Sequence, residues 1–144
     1  MAINYGAAFP DLTDGLSSTI MFAEVRAGVS SDDPRGTWAL GVGGASVVAA
    51  NSIGDSTGPN DRLVESDDIE QCTQFWTPDL GPRDRMGCSR GDHPNWQAQS
   101  RSMHPGGVNI ALPDGSVRMV NDSLDMLVWF DLNSVQDGAV VEDF

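Results

Sequence analysis

The sequence contains no lysine, only two histidines and no apolar run long enough to cross a membrane as a helix. Without lysine, the glycine-rich pieces at 41–44 and 106–107 lack the cation of a phosphate-binding loop. Neither His93 nor His104 lies in a His-Glu-x-x-His or Gly-x-Ser-x-Gly context, so zinc hydrolases and serine-type acyl transferases lack their usual residues. We therefore predict a non-enzymatic protein. A serine, histidine and aspartate group assembled in space around His104 is the enzymatic alternative.

Positive charge is scarce as well. The sequence has 8 arginines and 21 acidic residues, so its net charge is −13 and its pI is near 4.1. A field of this sign repels phosphate backbones and anionic lipid headgroups, so we predict neither a nucleic-acid partner nor membrane insertion. It favours divalent cations, although acidity also keeps many surface-exposed proteins soluble. The 144 residues suit one domain, and 16 glycines and 8 prolines predict many turns.

The clearest local pattern lies at residues 107–120. Alternate residues from Val108 to Leu112 are apolar, as in a strand with one buried face. Asp114-Gly115 follows, and Asp-Gly between two apolar runs is a strong hairpin signal because Gly115 accepts a positive φ and Asp114 can bond nearby amides. We predict a β-hairpin over residues 107–120, with turn-making as the main role of Asp114.

Three further segments favour strands. Residues 19–25 are rich in β-formers and almost continuously apolar, which predicts a central strand buried on both faces. Residues 37–42 predict a second strand, with Trp38 as a core anchor. Residues 45–50 predict a short strand or, alternatively, a short helix.

Residues 51–99 have no hydrophobic periodicity and are rich in proline and acidic residues. Unstructured loops of this length are usually functional or disordered. Trp76 and Trp96, which we expect to be buried, favour an ordered segment. We predict a long structured excursion that forms the variable, partner-facing side of the domain.

A short helix is predicted after the hairpin, with Asp122 or Ser123 as its N-cap and an end near Leu132-Asn133. The apolar positions at helical spacing are Leu124, Leu127 and Val128 with Trp129 or Phe130. Residues 139–141 predict a last edge strand. Together, the segments predict an α+β fold that is mainly antiparallel β-sheet, with one short C-terminal helix and a long loop region.

Two stretches also carry motifs. The first reads TDGLSSTIM at 13–21 and is followed by Glu24; the second has Arg101, then HPGGVN at 104–109 and DGSVR at 114–118. In this order they resemble the secreted bacterial family of prepilin-type, processing-associated H-X9-DG domains, with Ser18 where asparagine is usual. The motif residues that the resemblance implies are Glu24, Arg101, His104, Gly106, Gly107, Asp114, Gly115 and Arg118.

The resemblance implies a pilin- or pseudopilin-like domain over residues 1–144, located at the cell surface or outside the cell. That family usually begins with a pilin-type leader and a long apolar helix, and this sequence has neither. We expect a trimmed chain or a short relative that is exported or assembled by other means. Cys72 and Cys88 form a poor zinc pattern, and two unrelated thiols would be the cytosolic interpretation. In an exported chain we predict a Cys72–Cys88 disulfide that closes the loop region.

The motif residues allow more than one role. We predict that Glu24 lies at an exposed strand end or pairs with Arg101 or His104, because an unpaired buried charge is costly. His104 is a metal ligand, a pH-sensitive contact or a loop residue that sets the entry to the hairpin. The Pro105-Gly106-Gly107 sequence after it favours the loop role.

Calcium is the best small-ligand hypothesis, because this ion accepts irregular shells of oxygen ligands. No loop matches the Asp-x-Asp-x-Asp-Gly pattern, so a solvated acidic face is the alternative, and we predict no obligatory cofactor. The candidate calcium ligands are Asp32, Asp33, Asp55, Asp61, Asp67 and Asp68.

These predictions combine into a non-enzymatic structural subunit that self-associates into a homo-oligomer or filament at or outside the cell surface. The acidic surface would limit lateral clumping, and exposed sheet edges would supply backbone hydrogen bonds. The alternative is a secreted carbohydrate- or calcium-binding module. Tryptophans that stand exposed would stack against sugar rings; the candidates are Trp38, Trp76, Trp96 and Trp129.

Overall fold

The computed structural model describes residues 6–41, 44–48, 57–63, 66–69, 85–89, 97–141 and 144. Within these ranges a 3-10 turn, Phe9–Asp11, precedes three strands and one helix. The strands are β1, Phe22–Ala23, β2, Gly107–Ala111, and β3, Val117–Asn121; the helix is α1, Met126–Asn133. No helix in the described part of the chain has the length and apolarity needed to span a membrane.

The predicted hairpin is confirmed. The strands β2 and β3 pair antiparallel, from Gly107 opposite Asn121 to Ala111 opposite Val117. Gly115 adopts a φ of +88° in the turn. The Asp114 carboxylate accepts hydrogen bonds from the amide and the hydroxyl of Ser116, at 2.8 and 2.7 Å. These bonds fix the corner, so Asp114 makes the turn as predicted.

The prediction of a central strand at residues 19–25 is wrong. The sheet order is β1-β2-β3, so β1 is an edge strand of two residues, and Phe22 is 63% exposed. The centre belongs to β2 because its hairpin partner β3 occupies its other side. The chain leaves the sheet after Ala23, where the carbonyl of Glu24 turns to the amide of Arg101.

One face of the sheet packs against α1 and forms the apolar core. Its buried members are Val108, Ile110, Leu112, Val120 and Trp129. This sheet and this helix confirm the α+β class. The helix ends where predicted, but its N-cap is Asp125, whose carboxylate accepts from the amide of Leu127 at 2.8 Å. Asp122 and Ser123 are not the cap, because each makes other hydrogen bonds before the helix begins.

Two other strand predictions are also wrong. Residues 37–41 form turns closed by bonds such as Leu40 N to Thr37 O, and Trp38 is 89% exposed rather than a core anchor. Residues 139–141 lie outside the sheet because side chains take the place of a strand partner, as where the Ser18 hydroxyl donates to Val141 O.

Part of the predicted strand or helix at residues 45–50 lies outside the described residues. Residues 44–47 form a turn in which Gly44 N donates to Val47 O. Trp76, Trp96 and Cys72 also lie outside the described residues. The Cys72–Cys88 disulfide therefore stays a prediction, with Cys88 fully buried beside Ile69.

Candidate functional site

Glu24 lies where three segments of the chain meet. Its amide donates to Asn109 O of β2, and its carboxylate accepts from Asn109 N at 2.8 Å and Asn109 Nδ2 at 3.1 Å. The other side of the carboxylate contacts His104 Nε2 at 3.0 Å. Its carbonyl oxygen accepts from Arg101 N and from the hydroxyl of Ser100. One residue therefore joins β1, β2 and the segment that leads into the hairpin.

The ionised form of Glu24 is the stable one at this position. Partial burial opposes ionisation, but the hydrogen bonds from Asn109 and the charge on His104 outweigh it and lower the pKa of Glu24 below its ordinary value. The predicted pairing with His104 is therefore present. Arg101 binds only the backbone of Glu24, since its guanidinium lies elsewhere.

The guanidinium of Arg101 belongs to a buried charge network with Asp67, Arg35 and Asp33. Arg101 donates to both carboxylate oxygens of Asp67, at 2.8 and 2.9 Å. Arg35 donates to Asp67 at 2.8 Å and to Asp33 at 2.7 Å. Burial opposes these charges, but pairing dominates, so the pKa of Asp33 is lowered and that of Arg35 is raised. The network fastens together segments that are distant in the sequence.

The acidic residues considered for calcium have diverse surroundings. Asp33 and Asp67 bind arginines, and Asp61 accepts from the amides of Thr57 and Leu63 and from the Ser66 hydroxyl. Burial alone would raise the pKa of Asp61, but these donors lower it. Among the described residues, no three histidine, cysteine or acidic side chains are grouped to hold a metal ion. Of the remaining candidates, Asp32 is exposed, Asp68 is buried and Asp55 lies outside the described residues.

The first motif holds the C-terminal segment. The Asp14 carboxylate is fully buried and accepts from the amides of Asp137 and Gly138, at 3.2 and 2.8 Å. Ser18, at the position where the family usually has asparagine, donates its hydroxyl to Val141 O. Both motifs thus supply side chains that fasten backbone segments.

The other motif residues shape the backbone and pack against it. Gly106 has a φ of +84°. A Cβ on Gly107 would clash with Val120 O, so only glycine fits there without displacement. The guanidinium of Arg118 lies over the ring of Phe144, at 5.0 Å from its centroid. These positions support the hairpin rather than a reaction centre.

The sheet face opposite the core carries exposed apolar side chains, and we name it the outer face. The strand register places Phe22, Ala111 and Val117 in one row across the sheet, because directly paired residues point to the same side. Met119 opposite Asn109 begins the next row. Phe22, Val117 and Met119 are 63%, 69% and 57% exposed. These three side chains therefore expose apolar surface together on one face of the sheet.

An open groove of about 450 Å³ begins beside Glu24. It is lined by Val25, Arg26, Ser102 and His104, among others. The side chain of His104 is 56% exposed there. The contact between Glu24 and His104 therefore faces water at the border of the outer face.

Three side chains important in this arrangement are not predicted from the sequence as site residues. Arg35 lies in a loop, and its partner Asp67 is 32 positions away. Asn60 donates to Asp122 and accepts from the amide of Ser102, again across long separations. Asn109 is a motif residue, but strand alternation alone predicts only that it is polar. Among the three, only Asn109 has a signal in the sequence, which is its place in the HPGGVN motif.

A family model described as "Protein of unknown function (DUF1559)" matches residues 1–127 of the chain. No curated protein matches it, and no solved structure does.

Proposed function

The chain belongs to the family of proteins of unknown function DUF1559, and from that premise we propose that it is a non-enzymatic structural subunit that self-associates. We place it at the cell surface or outside the cell, as a pilin- or pseudopilin-like single domain, because of its resemblance to H-X9-DG domains. The motif residues support this role, since Glu24 and Asp14 fasten backbone segments and Gly107 shapes the backbone.

The outer face is the observation that carries the proposal. Phe22, Val117 and Met119 expose apolar surface on a sheet face that the rest of the described chain leaves uncovered. Burying one such side chain fully contributes about 1.5–3 kcal/mol, so a few of them supply the core of an interface. A net charge of −13 opposes indiscriminate aggregation and leaves association to surfaces that carry few acids.

The test is the mass of the protein in solution as a function of concentration, measured by sedimentation velocity and light scattering. We expect concentration-dependent association. Replacing Val117→Thr together with Met119→Thr keeps β-forming residues but removes apolar surface, and should weaken association at least about tenfold. Val140→Thr is the matched control, because Val140 is equally exposed but lies outside the sheet. A monodisperse monomer at high concentration would contradict the proposal.

Trp38 supports a second candidate function, the capture of polysaccharide. Its indole is 89% exposed on a loop, where an aromatic face is available to stack on a sugar ring. Trp129, in contrast, is buried and donates to Gln99 Oε1 at 3.1 Å. Titrating oligosaccharides should change the tryptophan fluorescence of the wild type but not of Trp38→Ala. An unchanged spectrum of the wild type, or a response that persists in Trp38→Ala, would dismiss this candidate.

A further inference from the structure

We infer that β3 pairs antiparallel with β3 of a second copy, in the register that places Met119 opposite Met119 of that copy. This inference rests on the proposed self-association and adds the strand and the register through which it occurs. We choose a second copy of the chain as the partner because one β3 strand can pair with another. Its backbone geometry, its local charge and its side-chain pattern all allow this pairing.

The backbone of β3 has an edge available for pairing. The bonds Asp122 N to Gly106 O and Leu112 N to Ser116 O fix the phase of the hairpin ladder. In that phase, Arg118 and Val120 direct their amides and carbonyls to β2, whereas Val117 and Met119 direct theirs away from it. Among the described residues, the amides and carbonyls of Val117 and Met119 have no hydrogen-bond partner. A strand edge of this kind is a template for another strand.

The charge of β3 differs from that of the rest of the chain. Its sequence, VRMVN, has one arginine and no acid, within a protein of net charge −13. The acids on either side of it have partners. Asp122 forms an ion pair with Arg85 at 2.9 Å, and Asp114 binds Ser116 and lies in the field of Arg118. Two copies that approach each other through β3 therefore bring little of this negative charge together.

The side chains select the register. A pair centred on Arg118 would place the two Arg118 residues directly opposite each other, and like charges in that position are destabilising. A pair centred on Val120 would leave Val117 without a partner and would require Asp122, which already binds Arg85 and Asn60. Centring on Met119 avoids both problems, because Arg118 then lies opposite Val120 and Val117 lies opposite Asn121.

The centred register uses the free backbone groups fully. The two Met119 residues exchange a pair of hydrogen bonds. Each Asn121 amide donates to the Val117 carbonyl of the other copy, and each Val117 amide donates to the Asn121 carbonyl, which has a second lone pair beside the one that accepts from Leu124 N. The outer faces of both copies then lie on the same side of one continuous sheet. The pair closes on itself by two-fold symmetry, and the joined outer faces remain for further contacts in a larger assembly.

Isotope-filtered NMR on a mixture of differently labelled wild-type chains tests the register. In the inferred pair, the Hα atoms of Arg118 and of Val120 from the other copy face each other, so we expect a cross-copy contact between them. Amide exchange at Val117 and Met119 should slow about tenfold once about 90% of the chains are paired, because only the unpaired fraction exchanges. Gly41, on a loop outside the sheet, is the internal control, and its exchange should not change.

The outcomes separate the two proposals. Association with the Arg118 to Val120 contact and slowed exchange supports both. Association with cross-copy contacts elsewhere, or with unchanged exchange at Val117 and Met119, overturns the strand pairing and leaves the structural function intact. A protein that stays monomeric at every concentration overturns both.

Discussion

Glu24 replaces one backbone partner in the sheet with a side chain. Its amide continues the ladder to Asn109 O, but its carboxylate takes the place of a strand carbonyl and accepts from Asn109 N. The chain can then leave the sheet directly after Glu24, and the Asn109 amide still has a hydrogen-bond partner. A buried amide requires such a partner. A carboxylate does this best when ionised, so the edge of the sheet is sensitive to acid.

We expect Glu24→Gln to lower the free energy of unfolding at pH 7 by about 1 kcal/mol, because the charged acceptor is lost at a partly exposed site. The pKa of Glu24 is lowered in the folded state, so its ionised form stabilises the protein above the ordinary pKa of 4.5. This contribution is lost as the pH falls through the lower folded-state pKa. Urea unfolding at pH 7 and at more acidic pH should therefore show the wild-type advantage shrinking.

Asp32→Asn is the control for this effect, because Asp32 is an exposed loop acid. Its unfolding free energy should stay close to the wild-type value at each pH. A difference between wild type and Glu24→Gln that grows towards acid would contradict the argument.

Glycine is required at position 107 because of a close contact and not because of its backbone angles. We expect Gly107→Ala to destabilise the protein by about 3 kcal/mol, because the added Cβ meets a backbone carbonyl that cannot move without breaking the hairpin. Gly106→Ala should cost about 1 kcal/mol, since its left-handed backbone is strained but its surroundings are open. Gly41→Ala, with open space and an ordinary φ, should be nearly neutral. Thermal and urea unfolding give the order, and equal losses at Gly106 and Gly107 would contradict it.

At the scale of elements, the sequence predicts those parts whose signals are local. The hairpin combines strand alternation with an Asp-Gly corner within fourteen positions, 107–120, and the two signals agree. The helix end is predicted for the same reason. The predicted start of α1 is wrong because Asp122, Ser123 and Asp125 are all residue types that cap helices well. Hydrogen bonds from Asn60 to Asp122 and from Ser123 to Asn121 leave Asp125 as the cap.

Asp125→Ala should destabilise the protein by about 1 kcal/mol, because the first turn of α1 loses its side-chain acceptor. Ser123→Ala, at a position that the sequence suggested for the cap, should cost less than about 0.5 kcal/mol. Far-ultraviolet circular dichroism with urea unfolding measures both. A larger loss for Ser123→Ala than for Asp125→Ala would mean that the helix begins earlier.

The strand predictions at 19–25, 37–42 and 139–141 failed because β-propensity does not say which backbone groups find a strand partner. Residues 37–41 bond within their own turns, and Gly138 bonds to the Asp14 carboxylate. Likewise, the apolar ring of Trp38 predicts burial, but the tight local turn at residues 37–40 leaves it exposed. These outcomes depend on contacts that have no local signature.

At the scale of the molecule, the described interior has two different compositions. Beneath the sheet it is apolar, with Trp129 against Val108 and Ile110. On the loop side it is ionic, with Arg35 and Arg101 around Asp67. The sequence indicates Asp67 as a calcium candidate and Arg101 as a candidate partner of Glu24. The pair that Asp67 and Arg101 form has no signal in the sequence, because it spans 34 positions without a motif.

Arg101→Met should destabilise the protein by about 3–5 kcal/mol, because Asp67 keeps only one of its two arginines in a buried site. The carbonyls of Asp61 and Arg85 would lose a donor as well. Arg101→Lys should lose less, since it keeps the charge but not the two-pronged geometry. Arg118→Met, which removes a cation stacked on Phe144, should cost about 1 kcal/mol or less. Unfolding in urea ranks the three, and an equal cost for Arg101→Met and Arg118→Met would contradict the role of the network.

The ionic interior on the loop side has a calorimetric consequence. Heat capacity rises on unfolding when apolar surface becomes hydrated, and it falls when polar surface does. A chain of 144 residues would on average gain about 1.7–2.2 kcal/mol/K. Guanidinium and carboxylate groups occupy part of the interior that apolar side chains usually occupy. The heat-capacity increase on unfolding should therefore lie below this range. The dome of stability against temperature should accordingly be broad and shallow, so that cooling and mild warming change the folded fraction less than the size of the protein suggests.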